Sequence, residues 1–328
     1  MTGPSTIGRT TPGHRLTIVV PCYNEGAGLG EFFARLEPVL VRLDAYQHEI
    51  ICIDDGSQDD TLECLRDHAR RNAAVVVIEL SRNFGKEAAL TAGLDAATGD
   101  ACIPIDADLQ HPPELIEQMV AQWEAGSDVV LARRVSRETS SAVQRLAANW
   151  FYGLQNRLSD NKIPRDVGDF RLMDRSVVEA VKSLPERGRF MKGLFAWVGF
   201  RQTTLDFTVS ARTTGVSAYG WRKLVALGLN GVISFSTVPL TAWTFIGFGV
   251  AALALLVGCW IVIKTLLFGV DVPGFASLFT AVLFMGGVQL MSIGILGQYL
   301  GRVYNETKGR PIYIVRKRYG AREGDDAV

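Results

Sequence analysis

The chain has 328 residues, and its 34 Lys plus Arg balance 34 Asp plus Glu, so the formal net charge is zero. That balance argues against a nucleic-acid binder, which shows a clustered basic excess. With 48% hydrophobic and 21% charged residues the chain is not disordered, and at roughly 150 residues per domain it holds about two units.

The first 15 residues, MTGPSTIGRTTPGHR, are polar and lack the apolar stretch of a signal peptide. A flexible N-terminus over 1–14 that stays in the cytoplasm is the expectation. From 15 to 212 short apolar runs alternate with helical patterns. Candidate strands are Leu16–Val20, Glu49–Ile53, Val75–Leu80, Ala101–Ile105 and Asp128–Leu131. Helical patterns fill the gaps at about Gly26–Arg42, Asp59–Asn72, Lys86–Ala97 and Pro112–Ala125. This alternation predicts an α/β domain, a Rossmann-like and mostly parallel sheet with helices on both faces. Five scattered cysteines form no CxxC pair, which fits a reducing compartment, and the four dispersed histidines give no zinc spacing.

Ligands of such sheets bind beyond the carboxyl ends of strands. The first predicted strand is followed by Pro21-Cys22-Tyr23-Asn24-Glu25 and glycines at 26, 28 and 30. A dinucleotide fingerprint would need glycine at 31, where Glu31 stands, so GxGxxG is not satisfied. Asn24 reads as a helix cap. The second strand runs into Asp54-Asp55-Gly56-Ser57-Gln58-Asp59-Asp60-Thr61. There Asp59 reads as a cap, and the Asp54–Asp55 pair is free to accept hydrogen bonds from a base or ribose. The fourth is followed by Asp106-Ala107-Asp108-Leu109-Gln110-His111. In an extended strand residues i and i+2 point the same way, so Asp106 and Asp108 could share one cation. Hard oxygen ligands suit Mg²⁺ or Mn²⁺, which bridge phosphate oxygens of a nucleotide.

Past residue 224 the character changes. Trp221 to Val238 mixes Arg222, Lys223 and Asn230 with Leu224, Val225, Leu227, Leu229, Val232, Ile233 and Phe235, the pattern of an amphipathic interfacial helix within 213–238. Thr237–Ile263 and Val272–Gly301 carry no charge, and each exceeds the roughly 20 apolar residues that cross a bilayer. Two transmembrane helices at about 239–267 and 273–300, within 239–301, form the expected hairpin. Glycines 286, 287, 294, 297 and 301 would allow close helix packing. Between 302 and 318, Arg302, Lys308, Arg310, Arg316, Lys317 and Arg318 face a single acid, Glu306, in the basic tail over 302–328. The positive-inside rule then places both termini and the α/β domain on the cytoplasmic side of a plasma membrane.

Taken together, PCYNE, DDGSQDDT, LSRNFGKEAALTAGLDAATGD, PIDADLQHPPE and GDFRLMDR resemble the family 2 glycosyltransferases of GT-A fold. Within these the chain is most similar to the polyprenyl-phosphate group of dolichol-phosphate mannose synthase and bactoprenol glucosyltransferase, from about Leu16 to Lys317. The resemblance implies that Pro21, Tyr23, Glu25, Ile53, Asp55, Asp106 and Ala107 bind the donor nucleotide. It implies that Asp106, Asp108 and Gln110 hold Mg²⁺ or Mn²⁺. It assigns Arg134, Arg145, Asn149, Arg171 and Arg212 to the acceptor phosphate, with Asp169, Asp108 and Arg134 at the reaction centre. The chain departs from the family pattern at Gly215-Val216-Ser217-Ala218-Tyr219, where Ala218 replaces a lysine that holds the donor diphosphate.

The implied reaction moves a sugar from a nucleotide diphosphate sugar, UDP-glucose first, to undecaprenyl-type polyprenyl phosphate with inversion. A phosphate monoester with second pKa about 6 is largely dianionic at neutral pH and needs positioning more than a base. The implied partners are donor, lipid acceptor, bilayer and further copies in a homo-oligomer, a tetramer, with no nucleic acid. Two other readings are a processive polysaccharide synthase and a catalytically dead membrane scaffold of the same fold. The chain lacks the QxxRW motif of the first and keeps the acidic motifs that the second would not need.

Overall fold

The computed structural model describes residues 13–135, 167–208, 238–268 and 274–320. Arg145, Asn149, Arg212, Ala218 and the expected interfacial helix lie outside the described residues. The chain divides into two units. One, an α/β unit, holds the described residues up to 208 together with 310–320; the other holds 238–268 and 274–309.

In the α/β unit, β1 (Arg15–Cys22), β2 (Gln47–Asp54), β3 (Val75–Leu80), β4 (Ala101–Pro104), β5 (Val129–Arg134), β6 (Val167–Asp174), β7 (Gln202–Phe207) and β8 (Val315–Tyr319) form one sheet. Its order is β7-β5-β6-β4-β1-β2-β3-β8. The block β4-β1-β2-β3 is parallel, as is the β5–β7 pair. Strand β6 is antiparallel to both β4 and β5, and β8 is antiparallel to β3. The central strands are continuous apolar runs because they are covered on both faces, as parallel sheets are.

Helices α1 (Gly26–Arg42), α2 (Thr61–Arg71) and α4 (Leu115–Glu124) cover one face. On α1 the buried positions 29, 32, 33, 36, 39 and 40 follow the three-and-four spacing of a single helical stripe. The other face is covered by α3 (Lys86–Ala96), α5 (Arg175–Lys182) and α6 (Met191–Trp197). Asp174 caps α5 by accepting from Ser176 N at 3.0 Å, and it also accepts from Trp123 Nε1 at 2.9 Å. One carboxylate therefore fixes the end of β6 to α4.

Residues 315–319 of the expected basic tail are not a free tail but the edge strand β8. Arg316 pairs with Glu79 at 3.1 Å and Tyr319 donates to the same carboxylate at 2.7 Å. Basic residues on an outermost strand also discourage further strand pairing.

The second unit contains α7 (Val238–Phe268, 31 residues) and α8 (Phe275–Thr307, 33 residues). Trp243 Nε1 donates to Ser292 Oγ between them. Among the residues whose side chains are described, no helix is long and apolar enough to cross a membrane. The structure thus supplies two long helices where the hairpin was expected, and does not by itself make them spans.

Candidate active site

The site lies where β1, β2 and β4 end. The described cleft there, about 290 Å³, is lined by Pro21, Tyr23, Glu25, Asp55, Lys86, Asp106, Ala107 and Asp108 among others. Every expected donor residue except Ile53 is on that lining; Ile53 is fully buried within β2.

Local backbone geometry aims these groups. Asn24 adopts φ +54°, a left-handed conformation that asparagine tolerates. It does not cap α1: its Oδ1 accepts from Gln58 N at 2.8 Å, and its N–H donates to Ser57 Oγ at 3.0 Å. The turns after β1 and β2 are thereby tied together. Asp59 likewise stands one residue before the cap position of α2, accepting from Thr61 N and, across the turn, from Gly26 N. Gly56, at φ +69°, passes so close to the 82–83 backbone that a Cβ would lie 2.6 Å from Arg82 C. Only glycine fits there.

Asp55 is 3% exposed and uses both oxygens on backbone, accepting from Phe84 N at 2.7 Å and Gly85 N at 2.8 Å. Burial raises its pKa, and these two hydrogen bonds pull against that. Its role here is to fix the loop that launches α3. The next residue, Lys86, was not among the expected site residues, yet it is central. Its Nζ lies 2.7 and 2.8 Å from the two oxygens of Asp106 and 2.9 Å from Asp169 Oδ2. Burial works against the ammonium, but Asp106 and then Asp169 outweigh it and raise the Lys86 pKa. For Asp169 burial pushes upward, while Lys86 and then Lys192 and Arg171 bring its pKa below the usual value.

The acidic turn converges by a route other than strand pleat. Strand β4 stops at Pro104, and Leu109 takes φ +56°, uncommon for a bulky side chain, so 106–111 is a tight turn. Ligand atoms of Asp106, Asp108 and His111 all lie within 4.8 Å of one another. Among the described residues His111 Nδ1 is buried without a hydrogen-bond partner, 3.9 Å from Asp106 Oδ2. Its ring rests beside Phe170 and Phe207, and burial lowers its pKa. Gly168 makes room for it, since a Cβ there would sit 3.2 Å from His111 Nε2. Glu25 adds a further carboxylate, whose pKa is raised by burial and then by Asp108 and Asp106. An orphaned imidazole nitrogen facing crowded carboxylates suits a divalent cation of the Mn²⁺ or Mg²⁺ class. Gln110 donates from its side-chain amide to Asp108 at 2.6 Å and from its backbone N–H at 3.0 Å, so it orients Asp108.

Arg134 is the exposed last residue of β5 rather than following it. Arg171 is 5% exposed and does not line the cleft. It donates to Gly168 O at 2.7 Å and lies over the Phe195 ring at 4.2 Å, and burial lowers its pKa to about 10. In this state it braces the 168–169 turn. The sequence signal for Lys86 was only its place after Asn83-Phe84-Gly85, and that for His111 its place after Gln110.

Residues 17–182 match the family model Glycosyl transferase family 2, and the chain belongs to that family. It is 51% identical over 305 residues to an uncharacterized glycosyltransferase of Synechocystis sp., covering 93% of this chain and 96% of that protein. It is 47% identical over 303 residues to the SfII prophage-derived bactoprenol glucosyl transferase of Shigella flexneri, covering 92% and 98%. Among solved structures it is similar to the mannosyltransferase PcManGT from Pyrobaculum calidifontis in complex with GDP-Man and Mn²⁺. That likeness has 18% identity and a TM-score of 0.49, covering 91% and 90% of the two chains.

Proposed function

We propose that this enzyme transfers a glucosyl group from UDP-glucose to a polyprenyl phosphate of undecaprenyl type, with inversion at the anomeric carbon. The observation that carries this reading is the turn where Asp106, Asp108 and His111 converge beside the Lys86-held Asp169. Near-full-length identity of 47% to a protein named bactoprenol glucosyl transferase supports the lipid acceptor and the glucosyl donor.

Asp106, Asp108 and His111 would hold Mn²⁺ or Mg²⁺, which when bound neutralises the departing nucleoside diphosphate. The protein's own groups do the rest. Tyr23, Glu25 and the Asp55-anchored loop shape the nucleotide side of the cleft. Asp169, kept ionised by Lys86, orients the acceptor or a sugar hydroxyl at the reaction centre. Arg134, at the open end of β5, supplies forked donors to the acceptor phosphate.

The long helices fit a lipid substrate. Helix α7 carries one charged residue, Lys264, in 31, and Leu256 and Leu266 are 66% and 80% exposed. Water penalises such exposure at about 25 cal/mol per Å², whereas a bilayer does not. The two helices are thus read as the membrane hairpin, holding the catalytic unit at the cytoplasmic face. Membranes containing the protein, given labelled UDP-glucose, undecaprenyl phosphate and Mn²⁺, are expected to move label into the organic phase. No label with any UDP- or GDP-sugar would overturn the transferase reading in favour of the scaffold.

A further inference from the structure

The acidic cleft already contains a cation of its own. Lys86 Nζ engages both oxygens of Asp106, the same carboxylate that faces Asp108 and His111, and it reaches Asp169 at 2.9 Å as well. A divalent ion that takes Asp106 therefore competes with the ammonium for its oxygens, since two cations on one carboxylate repel. We propose that Lys86 is a tethered place-holder for the divalent ion: it neutralises Asp106 in the metal-free site, yields it on loading and remains on Asp169.

Three features suit it to that exchange. Its backbone is held still, because Asp55 anchors the amides of Phe84 and Gly85, while Glu87 accepts from Met191 N at 2.9 Å and joins α3 to α6. Its side chain is a flexible four-carbon stem with a compact charge and, at 45% exposure, opens onto the cleft. Its second anchor is in place before the first is lost. Among the described residues Asp169 also has a buried Oδ1 without a partner, and Lys86 is the cation paired with this carboxylate. Lys86 is thus a positioning residue that couples occupancy of the Asp106 turn to the placement of Asp169.

The inference rests on the proposed metal site, but its readout needs neither donor nor lipid. Mn²⁺ binding to the full-length protein in detergent, followed by the electron paramagnetic resonance of free Mn²⁺, is compared for wild type, Lys86→Met and Lys86→Arg. Relief of competition is expected to tighten Mn²⁺ binding by about tenfold in Lys86→Met, with Lys86→Arg staying close to wild type. Unchanged or weaker binding in a Lys86→Met protein that melts like wild type would overturn the proposal, because a merely structural lysine gives that result. Should Lys86→Met fail to fold, Lys86→Gln is judged by the same criterion. Tightened Mn²⁺ binding in Lys86→Met together with no sugar transfer by the wild-type protein would leave this inference standing and defeat the transfer reading. Wild-type Mn²⁺ binding in Asp108→Ala would defeat the site itself and this inference with it.

Discussion

The two halves of the sheet reach the same edge from opposite directions. In the parallel half, β1, β2 and β4 end there and deliver Tyr23, Glu25, Asp55 and Asp106 just beyond their last residues. In the other half β6 runs antiparallel to β4, so its beginning lies at that edge and contributes Gly168 and Asp169. The rule that ligands sit after parallel strands finds the first set and passes over the second. Lys86, at the start of α3, bonds to Asp106 from one half and Asp169 from the other. The site is a junction rather than one strand end.

The sharpest way to separate the halves is to disable each in turn. Asp108→Ala is expected to lower transfer by on the order of 10³-fold, as loss of a metal ligand removes several kcal/mol of charge stabilisation, and to abolish Mn²⁺ binding. Labelled transfer into the organic phase and a Mn²⁺ titration read the two effects. Asp169→Asn is expected to lower transfer by about 10²-fold while leaving Mn²⁺ bound. If Asp169→Asn lost Mn²⁺ as completely as Asp108→Ala, the division of labour drawn here would collapse.

Smaller effects test the supports. Gly56→Ala places a Cβ 2.6 Å from Arg82 C at φ +69° and is expected to destabilise the protein by about 2 kcal/mol, read by denaturant unfolding. Last is a pH effect away from the site. His68 stacks on Phe33 with ring centroids 4.0 Å apart, and burial lowers its pKa from 6.5. The unfolded chain therefore binds the proton first as pH falls through that value, so the folded state loses stability by at most about 1.4 kcal/mol per pH unit. Melting temperature is expected to fall between about pH 7 and about pH 5, and less steeply in His68→Gln.

How much could be read in advance follows the same division. Helix α1 has the bounds its periodicity predicts, and β1 to β5 lie within three residues of the predicted runs, because burial on both faces writes long apolar stretches. Strand β6 was not expected, since the resemblance of GDFR to a family motif marked only Asp169 and Arg171 there; its partners on β4 and β5 lie 34 to 73 positions away. The DADLQ motif was expected to align its carboxylates through the pleat of a strand, but a turn through Leu109 brings them together instead. Arg171 reads as a phosphate ligand in the motif, but packing under Phe195 turns it toward Gly168.

By itself, then, the sequence determined the alternating α/β plan, the acidic strand ends and the change to long apolar helices, all of which depend on local spacing and side-chain polarity. Tertiary structure decided that β6 enters between β4 and β5, that His111 faces Asp106, and that Lys86 bridges Asp106 and Asp169. Those outcomes join residues 5 to 83 positions apart through space. The long-range contacts depend on strand order and helix placement, for which a local pattern carries no record, and the His111 contact depends on the left-handed turn at Leu109.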